Sequence, residues 1–110
     1  MSDWLIGFLR ESVARYPEAE AIVHHDRRVR YSELWAGVTA FACYLRAQGI
    51  RSGNRIAILL DNSPEYVIAY YGSLLAGGVV VALNTAAKAV DLSNWLAHCD
   101  ASWLVLDTRH

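Results

Sequence analysis

Apolar residues recur along this chain with two different periods, and the points where the period changes mark the elements. Leu5, Phe8, Leu9, Val13 and Tyr16 fall on one helical stripe, with Ser2 or Asp3 available to cap its start and Pro17 to end it. Residues 21–31, AIVHHDRRVRY, place β-branched side chains on either side of His25-Asp26-Arg27, which predicts a short hairpin whose turn uses Asp26. Ser32 then serves as an N-cap, Glu33 suits the positive start of a helix, and Leu34, Val38, Phe41, Ala42 and Leu45 form its buried stripe up to a stop at Gly49.

After the RSGN turn, residues 55–60, RIAILL, are almost continuously apolar, as in a strand covered on both faces. In DNSPEY, Ser63 is an N-cap, Pro64 occupies the first helical position, where a missing N–H costs nothing, and Glu65 complements the helix dipole. Val67, Ile68, Tyr71, Leu74 and Leu75 are expected to face the core, and Gly77-Gly78 to stop that helix. Residues 79–83 read as a second strand buried on both faces, Leu92, Trp95, Leu96 and Cys99 as a further helix, and residues 103–106 as a third strand.

The order is β-α-β-α-β behind an N-terminal helix and hairpin, which calls for parallel strands joined by right-handed crossovers. The expected fold is α/β, with residues 1–110 forming one unit. Ligands of open parallel sheets gather beyond the carboxyl ends of the strands, here Asp61-Asn62, Asn84-Thr85 and Asp107-Thr108.

Composition adds one expectation and removes several. The chain is 55% hydrophobic and 19% charged, which calls either for an unusually full core or for a place against more protein. A formal net charge of −1 with scattered Lys and Arg offers no basic face for nucleic acid. The longest apolar stretches fall well short of the roughly 18 residues of a membrane span. Asp3 and the missing positive n-region speak against a secretory signal, so a cytoplasmic chain is expected, with Cys43 and Cys99 as two buried thiols.

Several chemistries are not encoded. Neither GxGxxG nor GxxxxGK[ST] occurs, Gly77-Gly78 precedes a strand instead of following one, and GxSxG is absent. His24, His25, His98 and His110, taken with Cys99 and Asp100, do not have the spacing of a closed zinc site, because neighbouring residues on a strand or helix diverge. Tyr66, Tyr70 and Tyr71 could form an aromatic ligand shelf, but at helical spacing packing is the favoured role.

The ordered segments AEAIVHHDRRVRYSELW, GIRSGNRIAILLDNSPEYVIAYYGSLLAGGVVVALNTA and LAHCDASWLVLD resemble the start of the adenylate-forming superfamily, which includes acyl-CoA synthetases, luciferases and peptide-synthetase adenylation domains. VRYSEL at residues 29–34 matches that family's first core motif and LLAGGVVVALN at residues 74–84 its second, with the 53–60 run and the 62–66 segment in the expected order between them. Ala82 departs from the family's usual proline, which relaxes the backbone and removes no chemical group. Asn84 stands where peptide-synthetase domains usually carry aspartate and acyl-CoA ligases often asparagine, which favours the ligase branch.

The resemblance implies a two-step reaction in which a carboxylate attacks the α-phosphate of ATP, and the thiol of CoA then displaces AMP. It also implies ATP, Mg2+ and CoA as cofactors of the whole enzyme, a carboxylic acid substrate, and the remainder of that enzyme as partner. The family's phosphate loop, ribose-binding aspartate and C-terminal lysine have no counterpart in these 110 residues. The resemblance therefore assigns no catalytic residue here and implies a segment inactive by itself and prone to associate through apolar surface. Asn84, Thr85, Ala86 and Arg109 are its candidates for the CoA entrance, with turn and capping roles as the alternative for Asn84 and Thr85. Two other readings stand beside this one: a segment of a peptide-synthetase adenylation domain, and a free-standing α/β binding module.

Overall fold

The computed structural model describes residues 2–82 and 103–106, and over them the α/β order expected from the sequence is present. Helix α1 (Ser2–Arg15) leads into an antiparallel hairpin of β1 (Glu20–His24) and β2 (Arg27–Arg30). Helix α2 (Tyr31–Ala47), strand β3 (Arg55–Leu59), helix α3 (Pro64–Leu75), strand β4 (Val79–Ala82) and strand β5 (Trp103–Leu106) follow. The expected helix around Leu92, Trp95, Leu96 and Cys99 lies outside the described residues.

The three later strands form a parallel sheet in the order β4-β3-β5. Ile56, Ala57 and Ile58 of the central strand are wholly buried, as its unbroken apolar run requires. β4 departs from the expectation of a strand buried on both faces: Val79 is 48% exposed and Ala82 is exposed. Among the described strands β4 pairs with β3 alone; Val80 packs against the core around Ile56 and Ile58, and Val81 is partly buried.

Helix α1 buries Ile6 and Leu9, with Val13 packed beside them, while Phe8 and Tyr16 point outward at 67% and 59% exposure. The inner face is thus rotated from the expected stripe: Leu9 and Val13 lie on the side that meets α2 and α3, and Phe8 lies about 100° away from Leu9 around the helix. Helix α2 buries Leu34, Val38, Ala42 and Leu45 on the expected face. Its N-cap is Arg30 and not Ser32. The hairpin runs straight into the helix, so the first N–H groups find backbone acceptors, Tyr31 donating to the Ala19 carbonyl (3.0 Å) and Ser32 to that of Pro17 (2.9 Å). Glu33 closes the end by accepting from the Arg30 N–H at 2.9 Å. Cys43, expected to be buried, lies on the exposed side of α2, one position past the buried Ala42.

Small residues let α3 sit close to its neighbours. Its most buried positions are Pro64, Ala69, Gly72 and Ser73, whereas Val67, Ile68, Tyr71, Leu74 and Leu75, expected to form the buried face, are partly buried. Gly72 lies against Phe41 and the Val38 carbonyl of α2, and Gly37 of α2 lies against Ile68. The helix–helix contact is set by backbone approach, and the larger side chains flank it.

α3 ends in a Schellman motif: Gly77 (φ 95°) donates to the Leu74 carbonyl (3.0 Å) and Gly78 to that of Ser73 (2.9 Å). Arg46 of α2 caps the same end by donating to the Ala76 carbonyl at 3.0 Å. The turn then delivers Val79 to the sheet, its N–H bonding the Asn54 carbonyl at 2.8 Å, which sets the Arg55↔Val79 register.

Candidate functional site

Strands β3, β4 and β5 end together, with Ile58 opposite Ala82 and Leu59 opposite Leu106. Beyond the end of β3 lies a cleft of about 460 Å³, walled on one side by Leu60, Asp61, Asn62 and Ser63 and on the other by His24, His25, Asp26 and Arg27. Asp61-Asn62, one of the three expected ligand-side points, therefore borders a concavity. The other two, Asn84-Thr85 and Asp107-Thr108, and the CoA-entrance candidates Asn84, Thr85, Ala86 and Arg109, all lie outside the described residues.

The first wall is built by the start of α3. Ser63 is extended (φ −170°, ψ 168°), its Oγ accepts the Tyr66 N–H at 3.2 Å, and the same hydroxyl donates to the Asp61 carbonyl at 3.0 Å. Both functions of the hydroxyl are used in shaping the turn, which makes Ser63 a capping residue and a poor nucleophile. Pro64 is buried at the first helical position, as the sequence predicts.

The second wall is the hairpin tip. His25 and Asp26 make the turn, and His25 takes the positive φ of 58°. The His24 and His25 rings meet edge to face, 4.3 Å apart between centroids. Sequence reasoning named Asp26 for this turn and missed the contact that joins the two walls. Arg27 Nη1 donates to Glu65 Oε1 at 2.9 Å and Nη2 to Oε2 at 2.8 Å, a two-pronged ion pair between residues 38 apart. Hydrogen bonding from Arg27 holds the Glu65 carboxyl below the usual carboxylate range, against a smaller opposing effect of desolvation. The same hydrogen bonding raises the Arg27 guanidinium. Both side chains are more than half exposed, so water and salt screen the pair.

A second, apolar groove of about 310 Å³ runs between α1 and α3, lined by Leu5, Tyr66, Val67, Tyr70 and Tyr71. Tyr66 and Tyr70 are near-parallel with centroids 6.3 Å apart, and both pack against the core around Ile56 and Ile58, while Tyr71 packs toward Leu34 and Val38. The tyrosines are packing residues, the favoured reading of their spacing. Among the described residues no group of three or more His, Cys, Asp or Glu is placed to hold a metal ion, and no helix is long and apolar enough to cross a membrane.

The glycines of residues 74–84 do not offer a phosphate cradle. A Cβ at Gly77 would come within 3.3 Å of Ser52 Cα, and one at Gly78 would strike Ile56 and come within 3.1 Å of the Ser73 carbonyl. The Cβ side of both glycines is filled by the protein itself.

Comparison with known proteins extends the resemblance to nearly the whole chain. Residues 9–110 match the family model described as AMP-binding enzyme. The chain is 36% identical over 80 residues to a long-chain-fatty-acid–CoA ligase of Bacillus subtilis, covering 73% of this chain and 14% of the relative. It is 33% identical over 100 residues to a linear gramicidin synthase of Brevibacillus parabrevis, covering 91% of this chain and 1% of that protein. Its fold superposes on the o-succinylbenzoate coenzyme A synthetase of Bacillus subtilis, solved in complex with AMP, with a TM-score of 0.88 at 30% identity, covering 94% of this chain and 27% of the other. The chain thus spans a small part of the length of the relatives that it matches.

Proposed function

We propose, proceeding from the fact that this chain belongs to the family of AMP-binding enzymes, that it is the N-terminal segment of an ATP-dependent acyl-CoA ligase. The observation that carries this is the superposition of the fold on a coenzyme A synthetase over 94% of the chain, at 30% identity. In this reading the whole enzyme joins a carboxylate to AMP, releases pyrophosphate, and transfers the acyl group to the thiol of CoA. ATP, Mg2+ and CoA belong to that whole enzyme.

The part played by this segment is scaffolding. Its described residues contribute a three-stranded parallel sheet, a hairpin and three helices, and its glycine pair packs against Ser52, Ile56 and Ser73, which supports a phosphate site elsewhere in the whole enzyme. A segment with this content is inactive by itself. Residues 1–110 then form one α/β unit of a larger domain, with Asn84, Thr85, Ala86 and Arg109 as candidates for the CoA entrance. Asn84 favours CoA as acceptor over a carrier protein, although the similarity to gramicidin synthase keeps the peptide-synthetase branch as the second reading.

The test is product analysis. The polypeptide translated from the complete reading frame, given ATP, Mg2+, CoA and a panel of aliphatic and aromatic carboxylic acids, should yield an acyl-CoA thioester by mass spectrometry. Adenylate formation without a CoA thioester would shift the assignment to the carrier-protein branch. The absence of both products across the panel would overturn the ligase reading.

A further inference from the structure

The hairpin beside the cleft is anchored unevenly. At its base the Tyr31 and Ser32 N–H groups bond the carbonyls of Ala19 and Pro17, and Ala21, Ile22 and Val29 pack against the cluster of Leu9, Leu34 and Val38. Toward the tip this support ends. Val23 and residues 25–28 are all exposed, and the ladder is irregular between Glu20 and Ile22, a bulge of the kind that lets a strand pair bend.

The ion pairs of the hairpin differ in what they connect. Arg28–Glu20 (2.8 Å) lies within the hairpin and Arg30–Glu18 (3.1 Å) ties it to its own lead-in, so both move with it. Arg27–Glu65 instead crosses to the first turn of α3, on the opposite wall of the cleft. Two parallel hydrogen bonds fix both distance and direction, while exposure keeps the contact weak enough to break and re-form.

We propose that the Arg27–Glu65 pair is a latch that holds the hairpin tip against α3 and keeps the cleft at the carboxyl end of β3 narrow. With the latch released, the tip swings on its anchored base and the cleft widens. His24 reports the change: both histidines line the cleft, but His24 is half-buried and has exposure to gain, whereas His25 is already exposed.

The test compares the two histidines, each serving as control for the other. The unmodified chain is treated at fixed pH with a histidine-acylating reagent, and the ratio of His24 to His25 modification is read by fragment mass spectrometry. Raising the salt from low ionic strength to about 0.5 M, where the screening length falls to a few ångströms, should raise that ratio. The expected rise is roughly two- to five-fold, the range for an exposed pair, and E65Q should reproduce it at low salt. R27E combined with E65R, which re-forms the pair with charges exchanged, should bring the ratio back toward that of the unmodified chain. Circular dichroism identifies any variant that has lost its fold, and the salt series then decides by itself. A ratio that is indifferent to salt, or a reversed pair no closer to the original than E65Q, would overturn the latch.

Discussion

Replacing Gly72 by alanine sets two effects of similar size against each other, and the geometry decides between them. Alanine in a helix interior is favoured over glycine by about 1 kcal/mol. Opposing this, the new Cβ would lie 2.7 Å from Phe41 Cδ2, 3.1 Å from Phe41 Cβ and 3.2 Å from the Val38 carbonyl oxygen. The Phe41 ring can turn away, but its Cβ is fixed to the α2 backbone, to which the carbonyl belongs, and both can yield only by separating the helices. Overpacking of this kind costs about 1–3 kcal/mol, so G72A should destabilise by up to about 2 kcal/mol. Gly7 supplies the reference: nothing lies within 4 Å of its Cβ position on α1, and G7A should stabilise by about 0.5–1 kcal/mol. Gly37 falls between them. Its closest neighbours are Ile68 Cδ1 at 2.9 Å and Cγ1 at 3.2 Å, the outer part of a flexible side chain. A rotamer shift there costs about 0.5–1.5 kcal/mol, which leaves G37A near neutral. Denaturant midpoints at constant slope should therefore rank G7A above G37A above G72A. If G72A stabilised as much as G7A, the close α2–α3 approach would be refuted.

The other expectations are more local. S63A removes the cap of α3 and should cost about 0.5–2 kcal/mol in denaturant unfolding, with S63D retaining most of it; equal loss in both would show that the Ser63–Tyr66 bond is not what matters. The depressed Glu65 pKa has a definite sign: its contribution to stability is present above the unfolded-state value and is lost as pH falls through the lower folded-state value. Acid unfolding should accordingly show a component below about pH 4.5, the unperturbed value, that E65Q removes; an unchanged E65Q profile would contradict it. The outward Trp4, Phe8, Tyr44 and Val79, each 48–67% exposed, predict association of the 110-residue chain with rising concentration in sedimentation experiments. A strict monomer with one sharp unfolding transition would favour a free-standing module.

What the sequence discloses here is what neighbouring residues decide among themselves. Ser63-Pro64-Glu65 announces a helix start because cap, proline and dipole act within one turn. The 56–59 run, bounded by turn residues, announces a central strand because a short apolar run fits a strand covered on both faces. Gly49 and Gly77 mark two helix ends because both take positive φ. Other features depend on partners that the local pattern does not name. Leu9 or Phe8 could each lead the inner face of α1, and contact with α2 and α3 selects Leu9. Ser32 is a good cap by type, but the hairpin supplies Pro17 and Ala19 carbonyls first. The valines of β4 look fully buried by pattern, whereas Val79 is exposed and Val80 and Val81 are partly buried.

The candidate site divides in the same way. Asp61-Asn62 is found from strand polarity alone, since ligands collect where parallel strands end. Arg27–Glu65 leaves no trace in the sequence because its partners are brought together only after the hairpin and α3 have both formed. The family likeness carries the functional reading, and it does so through scaffold motifs: the glycines of residues 74–84 close the end of α3 and pack against Ser52, Ile56 and Ser73.

Carboxylate-dependent exchange of labelled pyrophosphate into ATP is the decisive measurement for the ligase assignment, because it reports adenylate formation without requiring the second half-reaction. The polypeptide of the complete reading frame should catalyse exchange, and residues 1–110 alone should not. Exchange by residues 1–110 alone, or its absence from the complete polypeptide with every acid tried, would contradict it.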